Sequence, residues 1–358
     1  MKFFSKLKNL FNKLSLSFKR FPISLLFATL AVIVAIYANH SDYTIRETYS
    51  RIIMTFALGI PLSLSVYVYF EGRPDVNKKL KIATHLGMCA LLLLYYLSLL
   101  KDLKMVEGTR YAAYTICFYL LFSFIPYLHK REKYELYVIK LFSRFVVTYV
   151  YSVILYLGLA AILGTINLLF DADIPWEIYF DMGVIVAGIF APAFFLSDVP
   201  MRDEEIPEES YPKVLRVLIQ FIILPLLSVY TMILYVYFAK ILVTMELPQG
   251  IIGNLVLWYS IVSAIILFFI YPLRNENQWV KFFLRVFPKA IIPLLAMMFV
   301  AIGIRVNNYG ITESRYFVLV VGLWVSGVMV YYAIKKHISN IIITVSLTII
   351  GFLAVTGP

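Results

Sequence analysis

Charged residues and cysteines are scarce in this chain, and that scarcity excludes several classes of protein. Only 15% of the 358 residues are charged, and the two cysteines are Cys89 and Cys117. A soluble fold of this length needs more polar surface than such a composition supplies. Each cysteine falls inside a different apolar block, so the sequence predicts neither a disulfide framework nor a zinc site, and we expect both cysteines in the core.

Catalytic and ligand-binding signatures are also missing. The four histidines are scattered through the chain, and no two of them have metal-ligand spacing. The chain has no G-x-S-x-G, no H-E-x-x-H and no glycine-rich loop of the kind that cradles phosphate. We therefore predict no catalytic residue, no metal and no cofactor, and the sequence favours a protein that is not an enzyme.

Apolar residues are abundant, at 61% of the chain, and the mean hydropathy is +0.84. They occur in blocks long enough to cross a hydrocarbon core, which takes about 20 helical residues. The blocks lack the alternation of a transmembrane barrel, so the predicted fold is all-α, a polytopic transmembrane helix bundle of about 11 spans. The predicted spans are 22–38, 52–70, 82–100, 111–128, 146–168, 178–196, 217–243, 251–272, 290–304, 316–334 and 338–356.

The distribution of Lys and Arg predicts how the bundle is oriented. With a cytoplasmic N-terminus, 24 of the 32 basic residues fall in cytoplasmic segments and eight on the other side. The connection from Asp171 to Asp181 carries four acidic residues and no basic one, as expected outside the cytoplasm. We therefore predict a bacterial inner-membrane protein with a cytoplasmic N-terminus and an extracytoplasmic C-terminus.

Basic and apolar residues alternate at helical spacing in segments that this topology places in the cytoplasm. A helix with one basic face and one aromatic face lies in the membrane interface and attracts anionic headgroups. We predict a basic amphipathic interfacial helix over 1–20, ahead of a transmembrane domain over 21–358, and a second such helix near 276–288. The expected partners are anionic lipids rather than nucleic acid, and the candidate contacts are Lys2, Lys6, Lys13, Arg20, Lys281, Arg285 and Lys289.

A second group of polar residues falls on the predicted outer face, at the ends of spans seven, nine and ten. Charges at that depth snorkel, form pairs or line a wet cavity. We expect the 245–250 and 305–315 loops to meet, with an arginine pairing to a glutamate and a tyrosine covering the pair; unconnected snorkelling is the alternative. The candidate cluster is Lys240, Glu246, Arg305, Tyr309, Glu313 and Arg315.

Several short segments in the second half of the chain resemble a known family. The chain is identified on them as a member of the bacterial membrane family catalogued as domain of unknown function 4153, best matched over 210–330. The resemblance assigns no activity or ligand, and it implies a further region beyond the last spans, where this chain reads Thr356-Gly357-Pro358. The segments are Tyr211-Pro212-Lys213, Leu224-Pro225-Leu226, Tyr230, Leu234-Tyr235, Leu247-Pro248-Gln249-Gly250 and the run from Tyr309 to Phe317.

Three functions are compatible with these features. A non-enzymatic membrane scaffold, sensor or envelope-associated component fits the charge-poor spans and the lack of catalytic motifs. A permease or lipid-handling carrier fits the span number and the helices interrupted at Gly59-Ile60-Pro61, Pro225 and Pro293. An enzyme acting on a lipid-linked substrate would need outward carboxylates such as Asp42, Asp171 or Glu313, but no spacing singles out a pair.

Overall fold

The structure is a computed structural model that describes residues 15–41, 46–71, 73, 75–98, 100, 105–128, 133–201, 207, 210–244, 251–335 and 337–356. These residues are almost entirely helical and contain no strand, which confirms the all-α prediction. Their long helices are α1 (Pro22–Asn39), α2 (Arg46–Glu71), α3 (Lys78–Ser98), α4 (Met105–Phe124), α5 (Tyr134–Phe170), α6 (Trp176–Ser197), α7 (Lys213–Thr244), α8 (Ile251–Ile270), α9 (Gln278–Tyr309), α10 (Glu313–Ile334) and α11 (Asn340–Thr356).

The chain has the helices of a multi-pass membrane protein. Within the described residues, nine helices are long and apolar enough to cross a bilayer. The two helices outside that group are α4, which carries Glu107 and Arg110, and α11, an apolar helix of 17 residues. Each predicted span overlaps one of these eleven helices.

The chain divides into two compact units, and the first comprises 1–130 and 140–205. Its centre is the contact between α1 and α2. Ser24 and Ser63 share a buried hydrogen bond of 2.7 Å across that contact. Gly59 lets α2 approach α1 closely, because a Cβ there would lie 2.9 Å from the ring of Phe27. Small residues thus bring the two backbones together, as is common where membrane helices pack.

The second unit comprises 131–139 and 206–358, so it includes the first two turns of α5. Its core lies between α8, α9 and α10. The α9–α10 contact is close at Gly322, where a Cβ would lie 2.7 Å from the terminal methyl of Met298. Tyr134, at the start of α5, is buried edge-on against Phe268 of α8. The beginning of α5 is therefore part of this core.

Helix α9 differs from the prediction in this part of the chain. The sequence predicted an interfacial helix near 276–288 and a separate span over 290–304, whereas residues 278–309 form one helix through Pro288 and Pro293. The turn before Pro288 packs against a neighbouring helix, because Phe287 is buried with its ring centre 6.5 Å from that of Tyr259 in α8. Tertiary packing thus overrides the tendency of proline to end a helix.

Two helices contain a π-helical turn shortly before a proline. In α6 the turn covers Val186–Phe190 and Pro192 follows, and in α7 it covers Leu218–Ile223 and Pro225 follows. Proline cannot donate its backbone hydrogen bond, and its ring crowds the carbonyl four residues earlier. A wider turn ahead of the ring relieves that crowding while the helix continues.

Candidate functional site

Arg20 joins three helix ends in the first unit. Its Nε and Nη2 donate to the two carboxylate oxygens of Glu71, at 2.9 and 3.0 Å. Its Nη1 and Nη2 also donate to the carbonyls of Val199 and Pro200, at 2.5 and 3.1 Å. The two charged side chains are only 15% and 24% exposed. The sequence predicted Arg20 as a contact for anionic lipid, but its guanidinium is occupied by partners within the protein.

Lys2, Lys6 and Lys13, the other predicted lipid contacts of the N-terminal segment, lie outside the described residues. So does most of the predicted 1–20 helix. Residues 15–20 are helical, and Ser17 is buried. The amphipathic helix over 1–20 therefore stays a prediction.

Two further ion pairs of the first unit join residues in or next to different helices. Arg144 of α5 contacts Asp198, just after α6, at 3.1 Å, and the arginine side chain is 44% exposed. His40, next to the end of α1, contacts Asp181 of α6 at 2.7 Å, and Asn39 donates to the same carboxylate at 2.9 Å. An Asp–His contact is also how general bases are oriented. Here the contact joins the end of α1 to α6.

Lys281, Arg285 and Lys289 lie on one exposed face of α9 in the second unit. None of the three is within 4 Å of a carboxylate of the described residues. Arg216, by contrast, pairs with Glu276 at 2.8 Å. The predicted row of cations is therefore on the surface and has no carboxylate partner in the part of the chain that the structure describes.

The aromatic residues of the same segment divide into two sets. Phe283 and Phe287 are buried in the second unit. Trp279, Phe282 and Val286 are 47%, 56% and 42% exposed and lie beside the basic row. The exposed set is the one available to lipid.

The outer-face cluster is only partly within the described residues, because Glu246 lies outside them. Arg315 donates to the carbonyls of Tyr309 and Gly310, at 3.2 and 2.5 Å, and its guanidinium lies 5.7 Å from the centre of the Tyr309 ring. Gly310 has a φ of +73°, which favours glycine and ends α9. Arg315 and Tyr309 are thus brought together, as a cap on the end of α9.

The remaining residues of the cluster are not joined to it by an ion pair within the described chain. Lys240 and Glu313 are exposed, and Arg305 is half-buried. Neither Arg305 nor Arg315 pairs with Glu313. A pair with Glu246, and the contact between the two loops, stay predictions.

Sequence reasoning missed a polar network in the second unit. Asn340, at the start of α11, is 1% exposed and donates to Glu135 at 2.7 Å. It accepts a hydrogen bond of 2.5 Å from the hydroxyl of Tyr332. The hydroxyls of Tyr271 and Tyr331 accept from the backbone N–H groups of residues 338 and 339. An asparagine preceding an apolar run was the available signal, but its partner lies 205 residues away.

Three tyrosines of the second unit, two of them in the segments that resemble the family, make buried polar contacts. Tyr211 donates to the carbonyl of Phe269 at 3.1 Å, and burial raises the pKa of its hydroxyl, so it stays protonated as a donor. Tyr235 donates to the carbonyl of Ala290 at 2.7 Å. Tyr259 shares a hydrogen bond of 2.5 Å with Thr231. These contacts join helices and leave the hydroxyls committed to protein partners.

The described residues offer no candidate metal site, since no three His, Cys, Asp or Glu side chains are grouped so that they could hold an ion. Both cysteines are free thiols. Cys117 is buried as predicted, whereas Cys89 is exposed, so the prediction that both lie in the core was wrong for Cys89.

The comparisons with known proteins agree with the resemblance. An uncharacterized protein of Pasteurella multocida (strain Pm70) is 24% identical over 254 residues, which are 71% of this chain and 43% of the relative. The chain therefore spans less than half the length of that relative. No solved structure matches the chain. A family model described as a domain of unknown function matches residues 24–357, well beyond the 210–330 predicted as the best match, so the chain belongs to the DUF4153 family.

Proposed function

We propose that this protein is a non-enzymatic scaffold of the bacterial inner membrane with eleven spans, a cytoplasmic N-terminus and residue 356 outside. The eleven spans are the helices α1 to α11. Its expected partners are anionic lipids on the cytoplasmic side. The proposal has three supports: the positions of the ion pairs, the chemistry of the buried polar groups, and the basic face of α9.

The ion pairs of the first unit are consistent with spans that alternate in direction. Arg20, before α1, pairs with Glu71 at the end of α2, so these two ends share one side. His40, after α1, pairs with Asp181 near the start of α6, which requires a common side opposite to that of Arg20. The Lys and Arg distribution favours a cytoplasmic location for the Arg20 side. Pairs between helix ends therefore support the same alternation that the basic residues predict.

The chemistry of the buried polar groups carries the assignment as a scaffold. No Asp, Glu, Lys, Arg or His of the described chain is in the buried core, and apart from tyrosines and Cys117 its polar residues are serines, threonines and the asparagine at 340. Most of them bond to each other or to backbone carbonyls, as in the Ser24–Ser63 and Thr231–Tyr259 pairs. Ion-coupled carriers keep ionisable groups within their spans. An interior of uncharged and mostly paired groups suits a protein that holds its helices together.

A permease or lipid-handling carrier is the second candidate. The π-helical turns before Pro192 and Pro225 favour it, because such turns often occur at functional sites. The hydroxyl of Ser260 in the middle of α8 is also buried without a hydrogen-bond partner. A carrier needs an aqueous pathway that reaches this depth, whereas a scaffold does not.

Thiol labelling tests this difference. In a chain with Cys89→Ser and Cys117→Ser, single cysteines replace Ser63, Ser260 or the exposed Ser314. A membrane-impermeant methanethiosulfonate reagent, applied to intact cells and to inverted vesicles, should label the variant at 314 and leave those at 63 and 260 unlabelled from either side. If the variants at 63 or 260 are labelled as fast as the variant at 314, the scaffold proposal is wrong and the carrier is favoured.

A further inference from the structure

The basic row of α9 lies at a defined depth relative to the other charged end of the helix. Arg285 and Arg305 are separated by 20 residues of one continuous helix. At 1.5 Å per residue this separation is about 30 Å, the thickness of a hydrocarbon core. Arg285 then lies at the cytoplasmic edge of the core, with Lys281 one turn further out and Lys289 one turn further in.

Side-chain direction brings Lys289 towards the level of Arg285. In an α-helix the Cα–Cβ bonds tilt towards the N-terminus, which is the cytoplasmic end of α9 in the proposed topology. A lysine one turn inside the core extends its ammonium back to the headgroups along the same direction. Two cations of the same exposed face are thus directed to one depth, that of the lipid phosphates.

Three arginines on the proposed cytoplasmic side have carboxylate partners, whereas these cations have none among the described residues. Arg20, Arg144 and Arg216 each pair with a glutamate or an aspartate. Helix α9 contains no acidic residue, and no described carboxylate lies within 4 Å of Arg285 or Lys289. Cations at the edge of a hydrocarbon core need a counterion, and lipid supplies phosphate at that depth.

We propose that Arg285 and Lys289 bind the phosphate of an anionic phospholipid of the cytoplasmic leaflet, and that Val286 and Pro293 contact its acyl chains. The guanidinium of Arg285 offers two parallel donors that fit phosphate oxygens, and Lys289 adds a point charge. Val286 directly follows Arg285 and is exposed, and the exposed Pro293 lies one turn beyond Lys289, towards the middle of the core. This inference rests on the proposed topology. It goes beyond the predicted general contact with anionic lipid, because it assigns a binding site for one lipid molecule.

Lipid binding to the purified full chain tests the site. The fraction of protein that retains one or more lipids is measured by native mass spectrometry during titration with phosphatidylglycerol or with phosphatidylcholine. Each basic residue near an anionic surface contributes about 1 kcal/mol, so the double variant R285Q/K289Q should lose about 30-fold of the preference for phosphatidylglycerol. The variant R285K/K289R, which keeps both charges, should retain most of it.

A matched control separates a site from general surface charge. Lys78 and Lys79, at the start of α3, are exposed, and K78Q/K79Q removes the same charge. This control should keep the preference for the first bound lipid. An equal loss in both double variants, or no preference in the unchanged chain, overturns the site.

A further arm identifies the source of the phosphate. Inorganic phosphate and soluble glycerophosphoglycerol should not displace the retained lipid, because the acyl-chain contacts contribute to binding. Displacement by either at concentrations comparable with those of the lipid would mean that the cations hold free phosphate, and would overturn the lipid assignment. The thiol-labelling result is independent of all these outcomes, so failure of the site leaves the scaffold proposal standing.

Discussion

At the scale of single residues, polar side chains of this protein act mainly by joining segments that are distant in sequence. Arg20 donates hydrogen bonds to Glu71, which is 51 positions away, and to Val199, which is 179 positions away. Asn340 donates one to Glu135, which is 205 positions away. Helical periodicity reports which residues share a face, and for Arg20 it indicated a basic face exposed to lipid. It contains no information on partners in other helices, so both interactions were beyond prediction. The exposed cations of α9 were predictable because exposure at helical spacing needs no partner.

Removing the guanidinium of Arg20 should destabilise the protein far more than removing that of Arg144. Arg20→Ala leaves the carboxylate of Glu71 and two carbonyls without donors in a site where the charged pair is mostly buried. Loss of one partner from such a pair costs about 3 kcal/mol. The Arg144–Asp198 pair is more exposed, so Arg144→Ala should cost less than about 1 kcal/mol. Denaturant unfolding in mixed micelles measures both.

A double-mutant cycle with Glu71→Ala assigns the effect of Arg20→Ala to the pair. The combined variant should be less destabilised than the sum of the two single variants, because neither charge is then left unpaired. Similar losses for Arg20→Ala and Arg144→Ala, together with simple additivity at Arg20 and Glu71, would mean that Arg20 does not depend on its internal partners.

At the scale of helices, the predicted spans each coincide with a helix because long apolar blocks leave no other choice in a membrane. The ends and irregularities were harder to predict. A proline ends a helix only where the surrounding turns are free to diverge, and in α9 Phe287, just before Pro288, is buried against Tyr259 of α8. In α6 and α7, by contrast, a π-helical turn precedes the proline. Sequence identifies where proline strains a helix, whereas packing decides how the strain is relieved.

The π-helical turn of α6 presents Gly188 directly to Val32 of α1, and this contact should tolerate no side chain. A Cβ at 188 would overlap the methyl Cγ2 of Val32. Gly188→Ala should therefore destabilise the first unit by about 1–3 kcal/mol, the usual cost of overpacking. Gly87→Ala in α3 is the matched control, because nothing lies within 4 Å of a Cβ there, and it should be neutral or stabilising by less than about 1 kcal/mol.

The pair Gly188→Ala and Val32→Ala tests whether the overlap causes the loss. Val32→Ala alone removes buried apolar volume, but it makes room for the new methyl group, so the double variant should be more stable than Gly188→Ala alone. Thermal unfolding of the purified variants ranks their stabilities. A double variant that is less stable than both single ones would show that Gly188 is needed for backbone conformation and not for close approach.

At the scale of the whole molecule, the proposed orientation rests on charges spread over many connections. The proposed cytoplasmic side holds 24 of the 32 Lys and Arg residues, and the reverse orientation would place those 24 outside. The Arg20–Glu71 and His40–Asp181 pairs add a geometric condition, because each needs its two helix ends on one side. Both conditions require that residues near 173 and near 205 lie on opposite sides of the membrane.

Alkaline phosphatase, which is active only outside the cytoplasm, tests that condition when fused after Asp173 or after Glu205. The fusion after Asp173 should be active, since Asp173 follows α5 in a connection without a basic residue. The fusion after Glu205 should be inactive, and a cytoplasmic reporter such as green fluorescent protein at the same two positions should give the opposite pattern. Immunoblots that show equal amounts of the fusion proteins exclude degradation as the cause of a missing signal.

Activity of the fusion after Glu205 without activity after Asp173 would mean that the orientation is reversed, and it would place Arg285 and Lys289 in the outer leaflet. Activity at both positions would mean that α6 does not cross the membrane, which would reduce the number of spans while leaving the helices themselves unchanged.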